Sequence, residues 1–253
     1  MRQDENNGSL KGRLIIVAGA SSGVGYATVR RLVQVEGATV VAIARRRVFR
    51  IEALAKHARG GQLLALTGDM SVATQAQSLV NEIHQRFGTI HGFVHAVHRS
   101  LRLSTSDVSD HDFDLTMRVN VKSALHGVQA TSPVFEKQQH GAVVIYNPKY
   151  PHKGEFGTAE ALHAASSNAL EALTEGWTRK LAQLGITVIS IDAQQTSESH
   201  PGQPSTDHVI AEALKSVMVK PASAIISSAP SSNEHAPVIQ GERGGLRLTW
   251  FGS

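Results

Sequence analysis

The sequence alternates short apolar runs with amphipathic segments, and this alternation constrains the fold more than any other feature. The apolar runs are bounded by glycine or polar residues and are mostly rich in Val and Ile, as buried parallel strands are. They are residues 14–18, 39–44, 63–67, 92–96, 142–146 and 187–191, and segments with helical periodicity are residues 24–35, 49–57, 73–87, 110–137 and 159–184. This alternation predicts an α/β fold with one doubly wound parallel sheet between two helical layers.

The length and composition fit a single domain. With 253 residues, 41% of them apolar, we expect residues 1–253 to form one domain with a core of its own. We expect residues 1–10 to be flexible and residues 194–235 to form a variable region of loop and helix beside the substrate. Loop-like composition is concentrated at residues 194–206 and 223–232, and residues 246–250 are a candidate last strand.

Composition also narrows the functional classes. The absence of cysteine excludes disulfides, thiolate metal sites and thiol nucleophiles. No apolar run is long enough to cross a membrane, and the polar start lacks the features of a secretion signal, so we expect a cytoplasmic protein without a membrane partner. The net charge of +4 is modest, and the basic cluster of residues 45–50 lacks interleaved aromatics, so no nucleic-acid partner is predicted.

Glycines cluster where the first predicted strand meets the first predicted helix. A tight turn is one reading of Gly19, Gly23 and Gly25. A phosphate loop is the other, because such glycines let backbone approach a pyrophosphate while the helix presents free N–H groups and its positive dipole end. The strand before the loop and the helix after it favour binding, so the sequence predicts a Rossmann-type dinucleotide site.

This loop resembles the Thr-Gly-x-x-x-Gly-x-Gly loop of the short-chain dehydrogenase/reductase family, with Ala18 in place of the threonine, and the resemblance extends over most of the chain. It implies hydride transfer on a carbonyl or alcohol with a nicotinamide cofactor. Arg45 and Arg46 match the positions where NADP-using members place basic residues, and no carboxylate stands at Ala44, which favours NADP(H) over NAD(H). The implied cofactor-binding residues are Gly19, Ser21, Ser22, Gly23, Val24, Gly25, Arg45, Arg46, Asp69, Met70, His95 and Ala96.

The catalytic positions of the resembled family carry other residues here. Asn120 resembles the family's helix asparagine, whose bend supports the active site. The family's Ser-Ser after the fifth strand is Asn147-Pro148, and its Tyr-x-x-x-Lys is His163-x-x-x-Ser167. The family's Asn-Asn-Ala-Gly after the fourth strand is also replaced. Residues 95–98 here are His-Ala-Val-His, which puts an imidazole in place of the glycine.

Two interpretations of these replacements stay open. Histidine titrates near pH 6.5 without help, so His163 can serve as an acid, with Asn147 as the group that polarises the carbonyl. Alternatively, His163 is a tolerated residue on a helix that performs no chemistry, since Ser167 is too short to reach the ribose that the family's lysine holds.

Two further motifs are weaker indications of function. His91 and His95 stand about 13 Å apart in a strand at about 3.3 Å per residue, so with His98 they do not form one metal site, and no metal is predicted. Residues 19–23 spell the Gly-x-Ser-x-Gly elbow of hydrolases, but no earlier strand-helix loop exists to supply the second oxyanion donor. The phosphate loop is the better account of these glycines.

Three functions remain: an oxidoreductase acting on a small-molecule substrate, a catalytically silent subunit that partners an active homologue, and an enzyme of this fold turned to cyclisation or dehydration. The two longest helices also carry apolar residues beyond what one sheet face is expected to cover. This surplus predicts a homodimer, a homotetramer or a hetero-oligomer with a homologue. The apolar residues concerned are Leu115, Val119, Leu125, Val128, Leu170, Leu173, Trp177 and Leu181.

Overall fold

A computed structural model describes residues 10–46, 48–56, 61–100, 108–148, 158–192, 204–219, 238–242 and 245–249. These residues form one sheet with helices on both faces, which confirms the doubly wound α/β fold. The strands are β1 Leu14–Ala18, β2 Thr39–Ala44, β3 Gln62–Thr67, β4 Gly92–His95, β5 Gly141–Tyr146, β6 Ile186–Ile191, β7 Val238–Glu242 and β8 Gly245–Thr249. The helices are α1 Gly23–Gln34, α2 Val48–Ala55, α3 Ala73–Phe87, α4 Asp110–Met117, α5 Ser123–Gln138, α6 Thr158–Ala182 and α7 Thr206–Val219.

The strand order places a ligand crevice beside β1. The sheet runs β3-β2-β1-β4-β5-β6-β7-β8, and β1 pairs in parallel with both β2 and β4. The chain therefore winds outward in one direction from β1 to β3 and in the other from β4 onward. In sheets of this type, ligands bind outside the carboxyl ends of the strands where the order reverses. Ala18 of β1 pairs with His95 of β4, so these ends are formed by the residues that follow Ala18 and His95.

The far edge of the sheet differs from the sequence-based expectation. The predicted strand at residues 246–250 is β8, and it lies antiparallel to β7, which the apolar pattern did not indicate. Only Ser190 of β6 is registered with β7, through Val238. The expected loop at residues 223–232 and most of that at residues 194–206 lie outside the described residues. Helix α7 accounts for the described helical part of the variable region.

Each face of the sheet packs a separate core because side chains alternate along a strand. Ile15 and Val17 pack with Val29 of α1 and Leu214 of α7 on one face. On the other face, Ile16 packs in a second core that is built from α3, α5 and α6. Among the described helices, none has the length and apolar character needed to span a membrane.

The apolar surplus on the long helices is smaller than the sequence analysis expects. Val128, Leu170 and Leu181 are buried in the second core of the chain itself. Leu173 and Trp177 are half-buried, and Trp177 packs against that same core. The expected surplus was too large because α5 and α6 pack on the sheet and also contact each other. These contacts cover apolar residues that the helical pattern alone would leave exposed.

Candidate nucleotide site

Steric contacts require glycine at two positions near the turn between β1 and α1. Gly19 has a φ of 86°, and a Cβ there would lie 2.6 Å from the carbonyl oxygen of Ala96 at the end of β4. A Cβ on Gly25 would collide with the carbonyl of Gly19. The absence of side chains therefore lets the loop, the first turn of α1 and the end of β4 lie in direct contact, which closes the base of the crevice.

The N-terminus of α1 is open toward the crevice. Ser22 precedes the helix in an extended conformation, and its side chain makes no capping hydrogen bond. Gly23 has a φ of 52° with no neighbour within 4 Å of where a Cβ would stand. The first turn of α1 carries no acidic residue. Unsatisfied N–H groups, a positive dipole end and free space together fit the phosphates of a dinucleotide.

A cavity of about 780 Å³ extends from this helix end across the carboxyl edge of the sheet. That volume is in the range of small-molecule and cofactor sites. Its walls come from the glycine loop, the ends of β2, β3 and β4, and α4 with the start of α5. The predicted cofactor residues among its lining are Gly19, Ser21, Ser22, Gly23, Val24, Arg45, Arg46, Asp69, Met70 and Ala96.

Charges at one end of this cavity balance one another. Arg45 Nη1 lies 3.6 Å from Asp69 Oδ2. Burial raises the pKa of Asp69, but hydrogen bonds from Ser71 and the charges of Arg45 and Arg118 outweigh burial and hold the pKa below its ordinary value. Asp69 is therefore ionised and takes up part of the charge of Arg45. A nucleotide phosphate at this end would meet Arg46 and the remaining charge of Arg45.

A third arginine reaches the loop, and the sequence analysis did not assign it there. Arg50 of α2 donates from Nη1 to the carbonyl oxygen of Ser21 at 3.3 Å, and its guanidinium lies 5.2 Å from the ring centroid of Tyr26. The guanidinium is thus held between the loop and α1 by a hydrogen bond and a cation–π contact. In the sequence, Arg50 is visible only as the last residue of the basic cluster of residues 45–50, and the structure places it in the first turn of α2.

His95 is turned away from the cavity. Its side chain is fully buried, and its Nε2 lies 2.7 Å from Ser123 Oγ. Ser123 gives its one hydroxyl proton to the carbonyl oxygen of Val119, so His95 must be the donor from Nε2. This leaves His95 Nδ1 buried without a partner. As a correction to the predicted site, only the backbone of His95 remains for a cofactor contact.

Asn120 lies within a π-helical turn, Arg118–Lys122, that interrupts the helix between α4 and α5. Its Oδ1 accepts from the backbone N of Arg99 at 2.7 Å, and its Nδ2 donates to the carbonyl of Arg99 and to Ser166 Oγ. The buried amide thus ties the segment after β4 to α6. The expected bend at Asn120 is present as this π turn, although residues 110–137 were expected to form one continuous helix.

His163 is buried and makes hydrogen bonds through both ring nitrogens. Its Nε2 lies 2.9 Å from the carbonyl oxygen of Pro148, and its Nδ1 lies 3.2 Å from Nε2 of His98. A carbonyl oxygen only accepts, so His163 donates from Nε2 and accepts at Nδ1 from His98. Burial, followed by the charge of His163, lowers the pKa of His98 to about 4. The proton of His163 therefore faces Pro148.

Asn147, which precedes the position of the replaced serine at Pro148, bonds to Ser167 at the position of the replaced lysine. Asn147 Nδ2 donates to the carbonyl oxygen of Ser167 at 3.0 Å, and Ser167 Oγ donates to Asn147 Oδ1 at 2.9 Å. Beside this pair lies a space of only about 10 Å³. Asn120 and Asn147 both line this space, and His163 bonds to Pro148, which also lines it, so the structure brings these three predicted residues together. In the described chain, no three His, Asp or Glu residues are grouped to hold a metal ion.

Comparisons with known proteins identify the family. The sequence model of the family described as short chain dehydrogenase matches residues 13–203. The chain belongs to the short-chain dehydrogenase family. Its Rossmann-like fold is the one that the family resemblance implies.

Individual relatives agree with this assignment. The chain is 29% identical over 182 residues to an uncharacterized oxidoreductase of Staphylococcus epidermidis, covering 72% of this chain and 77% of the relative. It is 27% identical over 186 residues to a 3-oxoacyl-[acyl-carrier-protein] reductase of Thermotoga maritima, covering 72% of this chain and 73% of that protein. A metagenomic short-chain oxidoreductase solved in complex with NADP has a similar fold, with a TM-score of 0.70 at 21% identity, covering 81% of this chain and 92% of that one.

Proposed function

We propose that this chain binds NADP(H) in the cavity beside α1 and is catalytically silent, or nearly so, as a carbonyl reductase. The observation that carries the proposal is the contrast between two adjacent spaces. The nucleotide cavity measures about 780 Å³, and its lining includes the glycine loop, Arg45 and Arg46. The space beside Asn120, Asn147 and Ser167 measures about 10 Å³.

The preference for NADP(H) rests on Arg45 and Arg46. A guanidinium offers a fixed charge and a planar set of donors that suit a phosphate, and both arginines line the cavity. Asp69 tempers this preference because its ionised carboxylate lies 3.6 Å from Arg45. A solved short-chain oxidoreductase of similar fold carries NADP, which supports the same cofactor here.

The low reductase activity that we propose follows from the hydrogen bonds at the catalytic positions. An acid must present its proton to the reacting oxygen, but that of His163 is donated to Pro148. The side chains of Asn147 and Ser167 satisfy each other instead of facing a substrate. Loss of a positioned general acid alone costs about 10²–10⁴-fold in rate. Such a chain suits the role of a subunit that stabilises an active homologue.

Binding is tested by calorimetry with NADP⁺ and NAD⁺. We expect the Arg45→Ala, Arg46→Ala double variant to weaken NADP⁺ by about 1–3 kcal/mol while NAD⁺ changes little, because charge-assisted hydrogen bonds to one phosphate are lost. Arg86→Ala is the matched control, since Arg86 lies over the ring of Phe87 on α3, at a position outside the cavity lining. The proposal fails if the wild type binds neither nucleotide.

Hydride transfer with His163 as the acid is a second candidate, and one observation favours it. His98 lines the cavity and hydrogen bonds His163, so a proton can pass from the cavity to His163 through one imidazole. A panel of ketones with NADPH tests this candidate. Ordinary turnover that follows the protonation of a histidine and is abolished in His163→Phe would establish it and overturn the silent assignment.

A further inference from the structure

We propose that the outer edge of β3 pairs with the same edge of a second copy of this chain, in antiparallel register about a two-fold axis through Ala65. The sheet then continues from one protomer into its partner. β3 is the first strand in the sheet order and, among the described strands, it pairs only with β2. This contact is independent of the nucleotide cavity, and it differs from the one that the apolar residues of α5 and α6 predict.

The sequence of β3 lacks the features that usually protect an edge strand. Its six residues, Gln62–Thr67, include no charged residue and no proline. The four residues between its ends are Leu63, Leu64, Ala65 and Leu66, and all four are only half-buried, whereas every residue of β1, β4 and β5 is buried. An apolar edge strand without charge or proline is a template for pairing with another strand.

The direction of the backbone groups of β3 selects one register. The backbone N of Gly68 donates to the carbonyl oxygen of Ala44 in β2 at 3.1 Å. Backbone groups alternate between the two sides of a strand, so those of Leu63, Ala65 and Thr67 face outward. An antiparallel pair centred on Ala65 joins Leu63 to the partner's Thr67 and Ala65 to the partner's Ala65, and each pair exchanges two hydrogen bonds. This register therefore uses every outward-facing residue of β3.

The same register brings a polar side chain to a polar groove. The groove measures about 290 Å³ and is lined by Thr67, Thr74, Gln75, Ser78, Leu79 and Glu82. Gln62 shares a strand face with Leu64 and Leu66, which pack in the core that α3 helps to form. In this register the partner's Gln62 lies opposite Gly68, beside the groove. Its amide there meets hydroxyl groups and the carboxylate of Glu82, which an amide can hydrogen bond. This fit favours a second copy of the chain over an unrelated strand.

The charge at position 62 tests the register. Gln62→Glu brings a carboxylate close to Glu82 of the other copy, so we expect association to weaken several-fold in sedimentation measurements. Gln62→Lys is the matched control, since it alters the same exposed side chain but is attracted to Glu82 and should strengthen association. Glu82→Lys added to Gln62→Glu should restore association. Equal association by Gln62→Glu and Gln62→Lys contradicts the register.

A single introduced thiol tests the pairing itself. The chain contains no cysteine, so Ala65→Cys provides the only thiol. Residues paired on the axis have Cα atoms about 5.5 Å apart, within the range of about 4.4–6.8 Å that a disulfide spans. We expect mild oxidation to give a covalent dimer of Ala65→Cys. Val35→Cys is the control, since Val35 is 66% exposed just after α1, and we expect it not to cross-link.

Three results overturn the proposal. One is a wild-type chain that is monomeric at micromolar concentration in light scattering. Another is Ala65→Cys that gives no covalent dimer, which would leave the edge free or paired with a strand of another protein. The third is equal cross-linking of Ala65→Cys and Val35→Cys, because it would show that random collisions form the disulfide.

Discussion

His95, which is buried in β4, and His98, which is partly buried just after it, make the fold sensitive to acid. Burial, with the charge of His98 adding to it, lowers the pKa of His95 from 6.5 to about 3. Burial and the charge of His163 lower the pKa of His98 to about 4. Below pH 6.5 these two histidines therefore bind protons in the unfolded chain but not in the folded chain. The stability due to neutral burial is fully present above that pH and is lost as the pH falls toward the folded pKa values.

The size of this loss follows from the proton linkage. Each histidine costs about 1.4 kcal/mol for every pH unit below its unfolded pKa, which gives about 2 kcal/mol at about pH 5. The result is the same for a folded pKa of 3 or 4, because both lie well below that pH. His95 and His98 together therefore remove about 4 kcal/mol, a large share of the roughly 5–15 kcal/mol that stabilises a typical domain.

Urea unfolding at about pH 7 and about pH 5 measures this loss. His95→Gln removes the titrating ring but retains an amide donor for Ser123 Oγ, so we expect the loss between the two pH values to be about 2 kcal/mol smaller in the variant than in the wild type. Val94→Ala is the matched control, since Val94 is fully buried in the same strand and does not titrate. It should lower stability at both pH values without changing the difference. If His95→Gln retains the full wild-type loss, His95 is not the neutral buried donor described here.

Three further changes are expected to have separable effects. Gly23→Ala should weaken NADP⁺ binding several-fold, whereas Gly88→Ala, also at a positive φ with nothing within 4 Å, should cost stability and leave binding unchanged in calorimetry. Gly19→Ala should destabilise by more than either in thermal unfolding, because its Cβ would meet the carbonyl of Ala96 at 2.6 Å. Leu173→Asp should dissociate the oligomer that the long helices predict, and light scattering that finds a wild-type monomer would remove that prediction.

The fold was largely predictable because its signals are local. The first six strands follow from short apolar runs, and their bounds agree with the predicted ones to within one residue. β7 did not show in the pattern because its sequence, Val-Ile-Gln-Gly-Glu, has two apolar residues followed by polar ones and glycine. The π turn was also not predictable, since it depends on the bonds of Asn120 to Arg99 and Ser166, which are distant in sequence.

In the candidate site too, local features were predictable from the sequence and contacts between distant residues were not. The glycine loop was predicted as a unit because a strand, a turn and a helix in succession specify it. The hydrogen bond between His98 and His163 joins residues 65 positions apart and forms only when the segment after β4 meets α6. Residue replacement at the catalytic positions was visible in the sequence, but the fact that the replacing residues bond to one another was not.

The glycines of the loop differ in what they imply about ligand binding. Gly19 and Gly25 are each required by contacts within the protein, so they would be needed even in a chain that binds nothing. Gly23 has a positive φ, but the space beside it is empty and opens on the uncapped end of α1. No packing contact from the described residues explains that space, whereas a phosphate on the first N–H groups of the helix would fill it. The comparison of Gly23→Ala with Gly88→Ala therefore measures the part of the loop that serves the nucleotide, separately from the part that serves the fold.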